Sequence, residues 1–183
     1  LIESDQFGRH ELTVSASGST RGLSMTVQID HEQASLMLLK KLGLLESQRG
    51  QIEPLLEQSA LAVIVASPPR QGMTSTINSL VNRHDPYTQS IVSLEEESEL
   101  DLEGVTRETI EPNSPPEAIE RRLAAILRSD PAVIMLNLVP DASLSRSIAR
   151  ASADVRFYFG LRYEDTFAAL RVWLKAVGDD EMA

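Results

Sequence analysis

The stretch Ala60-Leu61-Ala62-Val63-Ile64-Val65-Ala66-Ser67-Pro68-Pro69-Arg70-Gln71-Gly72-Met73-Thr74-Ser75-Thr76 decides how the chain reads. An apolar run of strand length meets a turn bounded by Pro and Gly. The turn opens into Thr-Ser-Thr, followed by Ile77, Leu80 and Val81 at the spacing of one helix face. Strand, tight loop and helix in this order form the layout of a phosphate-binding loop. Its usual pattern is G-x-x-x-x-G-K-[ST], in which backbone N–H groups surround the phosphates, the Lys meets the β/γ-phosphates and the hydroxyl holds Mg²⁺. Here Ser67 stands at the first Gly, Gly72 keeps the second, Met73 takes the Lys position and Thr74 keeps the hydroxyl. The layout survives while the charge chemistry does not. Taken alone, the loop also reads as an ordinary strand-to-helix connection stiffened by prolines. Arg70 is either a surface residue or a substitute cation for phosphate.

Outward from this stretch, apolar runs alternate with helical patterns. Upstream, residues 10–17 and 23–29 alternate around the turn Gly18-Ser19-Thr20-Arg21-Gly22, which predicts a hairpin. A short helix over Leu36–Leu42 closed by Gly43 comes next, then a helix over Glu46–Gln58, in whose first turns Pro54 should lie or which it should break. Downstream, Ser90–Leu94 predicts a second buried strand running into Glu95, Glu96, Glu97 and Glu99, and Gly104–Ile110 an edge strand. A helix from Glu117 to Arg128, a strand at Ala132–Leu136, a helix at 141–152, a strand at Val155–Phe159 and a helix at 164–177 complete the pattern. Strands alternating with helices at these lengths predict right-handed β-α-β crossovers, hence a mainly parallel sheet covered on both faces.

Composition excludes several classes of function. The 183 residues are 42% hydrophobic and 24% charged, which suits one good-sized core with at most a small appendage. Seventeen Lys and Arg face 27 Asp and Glu, a net charge of −10, so the chain is not expected to bind DNA appreciably. There are no cysteines, which excludes disulfides and Cys-based zinc sites and fits a reducing cytoplasmic setting. The longest apolar runs fall far short of the roughly 20 residues that span a bilayer. His10, His31 and His84 sit at expected element edges and carry no assigned chemistry. Ser143, Ser145 and Ser147 lie in an expected helix without a nearby His, which makes a serine nucleophile improbable. Phe167, Leu170, Trp173 and Leu174 at helical spacing read as a core or subunit-contact face.

Over roughly residues 20–178 the segments resemble the motor ATPases of type II secretion and type IV pilus assembly, which have a RecA-like core. The family's G-P-T-G-S-G-K-[ST]-T-T loop is similar to Ser67–Thr76, and its V-E-D-P box to Leu94-Glu95-Glu96-Glu97. Its L-R-x-D-P-D-V-I-M segment is matched best, by Leu127-Arg128-Ser129-Asp130-Pro131-Ala132-Val133-Ile134-Met135. The family continues with G-E-I-R-D where this chain has Asn137-Leu138-Val139-Pro140-Asp141, and its S-T-L-H-T-N-D box resembles Phe159–Asp165.

The resemblance implies an α/β, RecA-like P-loop core over 31–178 that is short at its C-terminal end. A β-hairpin over 1–30, remnant of a preceding domain, and a tail at 179–183 would complete the chain. It also implies that the Lys, Glu and His positions are replaced, by Met73, Leu138 and Arg162. Losing one transition-state charge partner can cost on the order of 10²–10³ in rate, and here several change together. Glu95 remains where the family places its water-orienting Glu, and the run from Glu95 to Glu99 otherwise reads as a solvated loop. The implied nucleotide contacts are Arg70, Gln71, Gly72, Met73, Thr74 and Ser75, with Thr74 on Mg²⁺ if the metal binds. ATP and Mg²⁺ are expected only if this site is still open. The implied role is a structural or regulatory subunit, and the alternative is a residual ATP-binding protein or slow ATPase driving secretion or pilus assembly. Implied partners are an active motor ATPase, further copies of the chain and the inner-membrane platform of the machine.

Overall fold

The computed structural model describes residues 2–4, 8–19, 22–31, 39, 42–96 and 102–178. It divides into two compact units, Leu1–Ser35 and Leu36–Ala183. The first is a three-stranded antiparallel sheet, β1 (Ile2–Ser4), β2 (Gly8–Ser19) and β3 (Gly22–His31), in that order. Its hairpin closes with Ser19 opposite Gly22, and φ of 133° at Gly22 is a conformation that L side chains rarely adopt. The helix expected over Leu36–Leu42 lies largely outside the described residues, as does the tail at 179–183.

The second unit carries the stretch Ala60–Thr76. Its elements are α1 (Glu46–Leu56), β4 (Leu61–Ala66), α2 (Met73–Val81), β5 (Ile91–Glu95), β6 (Thr106–Thr109) and α3 (Pro116–Leu127). They continue with β7 (Val133–Asn137), α4 (Ala142–Ala151), β8 (Arg156–Leu161) and α5 (Thr166–Val177). The five strands form one all-parallel sheet in the order β4-β8-β7-β5-β6. From β4 the chain crosses to β5 and the far edge, then returns through β7 and β8 to lie beside β4. All five strands point the same way, so every strand-to-helix loop emerges on one rim of the sheet, where open α/β sheets bind ligands.

Both faces are covered because alternate residues of the buried strands are apolar on both sides. One face carries Ile91, Val133, Met135 and Tyr158 against Ile77, Leu80 and Val81 of α2, with Leu39 and Leu56. The other carries Leu94, Ile134, Leu136, Phe157 and Phe159 against Leu123 of α3, Ile148 of α4 and Trp173 of α5. The Phe159 and Trp173 rings meet at a centroid distance of 4.7 Å. At about 25 cal/mol per Å², each such fully buried large side chain contributes roughly 1.5–3 kcal/mol.

Two local expectations are corrected. Pro54 neither lies in the first turns of α1 nor breaks it: it sits in the last turn, and the helix ends two residues later, at Leu56. A proline removes the bond to the carbonyl four residues back and crowds it, a defect that costs least where little helix follows. Asp165 does not lie in the first turn of the last helix but caps it, its carboxylate accepting from the Ala168 N–H at 2.7 Å, and Glu164 lies outside.

Candidate functional site

The loop between β4 and α2 leaves the rim with Pro68 and Pro69, and Arg70 takes φ of 63°. Gly72, at φ 80°, occupies the left-handed region as the residue preceding α2, where a side chain would be strained. No side chain caps α2, so its first N–H groups point into the loop. The Ser67 N–H donates to the Leu161 carbonyl at 3.2 Å, which ties the loop to the end of β8. Arg70, Gln71, Gly72 and Ser75 are exposed, whereas Met73 and Thr74 are half-buried. The loop therefore combines a left-handed glycine with a helix start that no side chain caps.

Met73 does not extend into that loop. Its thioether lies on Gly160 of β8, so close that a Cβ at position 160 would overlap its sulfur and methyl group. Gly160 shares the α2 face of the sheet with Tyr158, and Met73 joins the apolar cluster there. The side chain at the position that the resemblance aligns with Lys packs on the sheet, in a slot that Gly160 leaves open.

Glu95 ends β5 on the same rim and the same face. Three strand spacings separate β5 from β4, roughly 14 Å at about 4.8 Å each, and α2 leans across β8 and β7 between them. The carboxylate is not solvated, as the acidic run suggested, but only 4% exposed. Its Oε1 accepts from Ser93 Oγ at 2.8 Å and from Arg107 Nε at 3.0 Å. Parallel pairing of β5 with β6 sets Arg107 opposite Ser93, and the two-residue period puts Ser93, Glu95 and Arg107 on one face. The Glu95 Oε1 is thus already occupied by two donors from within the sheet.

The remaining positions are dispersed. Leu138 is half-buried against the core on the opposite face of the sheet from Met73. Asn137 precedes it, in register with Glu95. Arg162 is exposed just beyond β8 and makes no hydrogen bond or ion pair with the described residues. The loop and Glu95 therefore share one face and rim, while Leu138 and Arg162 supply no carboxylate or imidazole there. Among the described residues no group of His, Asp and Glu could hold a metal ion.

A buried polar network at the opposite rim carried no signal in the sequence. Arg156, 5% exposed at the start of β8, donates from Nε to the Gln58 carbonyl at 2.8 Å and also meets His84. The His84 ring bonds Tyr158 Oη through Nε2 at 2.9 Å and Gln89 Oε1 through Nδ1 at 2.8 Å. Burial lowers the His84 pKa below its ordinary 6.5, with Arg156 and Arg83 adding to the effect and the bond to Gln89 opposing it. Burial raises that of Tyr158. Only spatial neighbours from three segments make this cluster, so a lone His in sequence gave no clue.

The model of the Type II/IV secretion system protein family matches residues 11–153. The chain belongs to that family. Type II secretion system protein E of Dickeya dadantii is 25% identical over 142 residues, 78% of this chain and 28% of the relative. Type II secretion system protein HxcR of Pseudomonas aeruginosa is 27% identical over 143 residues, 78% of this chain and 30% of that one. The chain thus spans under a third of the length of these relatives. Among solved structures, the ATPase DotB of Legionella pneumophila superposes with a TM-score of 0.73 at 15% identity, covering 94% of this chain and 48% of DotB. The pilus retraction motor PilT, solved with bound ADP, gives 0.64 at 19% identity, over 93% and 53% of the two chains. The fold of this family member is therefore that of the RecA-like secretion ATPases. No described helix is long and apolar enough to cross a membrane.

Proposed function

We propose that this chain is an ATPase-like domain of a type II secretion or type IV pilus assembly system whose nucleotide site has degenerated, and that it acts as a structural or regulatory subunit. The observation that carries the reading is Met73. At the position where phosphate-binding loops place a cation, it buries its thioether on Gly160. The ion pair of Glu95 with Arg107 supports it, because the remaining candidate for orienting water is occupied. The absence of a carboxylate at Leu138 and of an imidazole at Arg162 points the same way.

On this reading the domain works in the cytoplasm at the inner membrane, where an active motor ATPase, further copies of itself and the platform of the machine are its partners. A second reading, a residual ATP binder or slow ATPase, is favoured by the preserved loop backbone. Gly72 is in its left-handed conformation, the α2 N–H groups are free of side-chain caps, and Thr74 keeps a hydroxyl at the position that the resemblance aligns with the Mg²⁺ ligand. Steady-state phosphate release from Mg²⁺-ATP separates the two. The first reading expects no turnover above the blank, with or without Glu95→Gln. Turnover that disappears in Glu95→Gln establishes the second.

A further inference from the structure

A cavity of about 500 Å³ opens on the far rim of the sheet, beside the His84 cluster and at the other end of the strands from the β4–α2 loop. Its floor is apolar. Val81 from the end of α2, Ile91 from the start of β5 and Leu102 from the segment before β6 are all buried. The walls are held in place by the chain itself. Gly104, at φ 75°, lies so close to Pro86 that a Cβ there would overlap the proline ring, which locks two wall segments together. The Asp85 carboxylate accepts from the Tyr87 N–H at 2.9 Å and from Thr88 Oγ1 at 3.2 Å. These bonds fix the turn that presents the Tyr87 ring, 90% exposed, at the mouth. His84, pinned by Gln89 and Tyr158, completes the wall. A volume of this size, pre-formed over an apolar floor, suits a ligand of small-molecule dimensions.

Three features select a cation. Glu103 is the one carboxylate among the lining residues, and none of them is Lys or Arg. Val81 and Asn82 bring the C-terminal end of α2 to the cavity, the negative end of its dipole, and the last turn of that helix carries no basic residue. Tyr87 offers the electron-rich face of an exposed ring. The cations close to His84 are engaged elsewhere, Arg83 with Glu53 at 3.5 Å and Arg156 with the Gln58 carbonyl at 2.8 Å. His84 itself, its pKa lowered by burial, adds no charge at neutral pH.

We propose that this cavity binds an organic cation with an apolar body. The ammonium or guanidinium sits between Glu103 and the Tyr87 ring, and the body lies on Val81, Ile91 and Leu102. A free amine and an Arg or Lys side chain on a partner's loop share that chemistry. The inference goes beyond the nucleotide site, and neither outcome there alters it.

Titration of the ¹⁵N-labelled chain with phenethylguanidinium, followed through amide shifts, tests it, with 3-phenylpropionate as the anionic counterpart. Saturable shifts centred on the amides of Asn82, His84, Gly104 and Val105 are expected, with a dissociation constant on the order of 1 mM for so small a probe. Glu103→Gln and Tyr87→Ala change exposed positions, so the fold tolerates them, and unchanged amide shifts away from the cavity verify that. Each is expected to weaken binding about threefold or more. Added salt is expected to weaken binding to the natural sequence more than to Glu103→Gln. A blocked Leu-Arg-Leu peptide separates the two sources. Tighter binding than the free guanidinium assigns the cavity to a partner's loop, and weaker binding to a small amine. No saturable shift with either cation, equal binding of phenylpropionate, or binding indifferent to both variants overturns the proposal.

Discussion

Met73 and Gly160 exchange shape for charge. Replacing Met73 by Lys keeps a flexible stem to lie on Gly160 but sets an ammonium at the first turn of α2, the positive end of its dipole. Without an anion in the loop, Met73→Lys is expected to lower stability by about 0.3–1 kcal/mol, read from the urea midpoint. At Glu95 the opposite holds, because the charge is present and already neutralised. Arg107→Ala leaves the buried carboxylate short of its cation and is expected to cost about 1–3 kcal/mol, the partial exposure of Arg107 screening the rest. Replacing Glu95 and Arg107 together by leucines is expected to cost less than Arg107→Ala, because no unpaired charge remains. A double-mutant cycle in urea measures that difference.

The elements read well where burial is uniform and poorly where it depends on a neighbour distant in sequence. Apolar runs gave β4, β5, β7 and β8, and the helical patterns between them gave the crossovers, so the parallel sheet was legible before any coordinate. The acidic run after Leu94 misled, because Glu95 is rescued from solvent by Arg107, which only the β5–β6 register brings alongside. The role of Gly160 was invisible for the same reason: a glycine in a strand says that something approaches, not what.

The buried cluster at the far rim is the plainest case, and it carries a pH prediction. His84 faces Gln89 from its own segment, Tyr158 and Arg156 from β8, and Arg83 beside it. Its folded pKa lies below the unfolded 6.5, so the unfolded chain binds more protons as pH falls through that region. The contribution is complete above pH 6.5 and declines below it, toward the folded pKa. Thermal unfolding from neutral to mildly acidic pH is expected to lose more stability in the natural sequence than in His84→Gln. Parallel curves for the two would exclude His84 as the cause. At helix ends, Asp141→Ala and Asp165→Ala each remove a carboxylate cap and are expected to cost about 1 kcal/mol in the same assay.

At the scale of the molecule, the proposed reading is that the RecA-like unit keeps the fold elements that position a nucleotide while the groups that would act on one have changed. The rim, the left-handed Gly72 and the N–H groups of α2 remain, whereas the Lys position packs on the sheet and the acidic candidate is paired within it. Such a division is what a domain retained for its shape and surfaces would show. Calorimetric titration of the chain with Mg²⁺-ATP, beside Met73→Lys, tests this account most directly. It predicts no saturable binding to the natural sequence, whether or not the Lys variant regains some. Saturable micromolar binding to the natural sequence would contradict it.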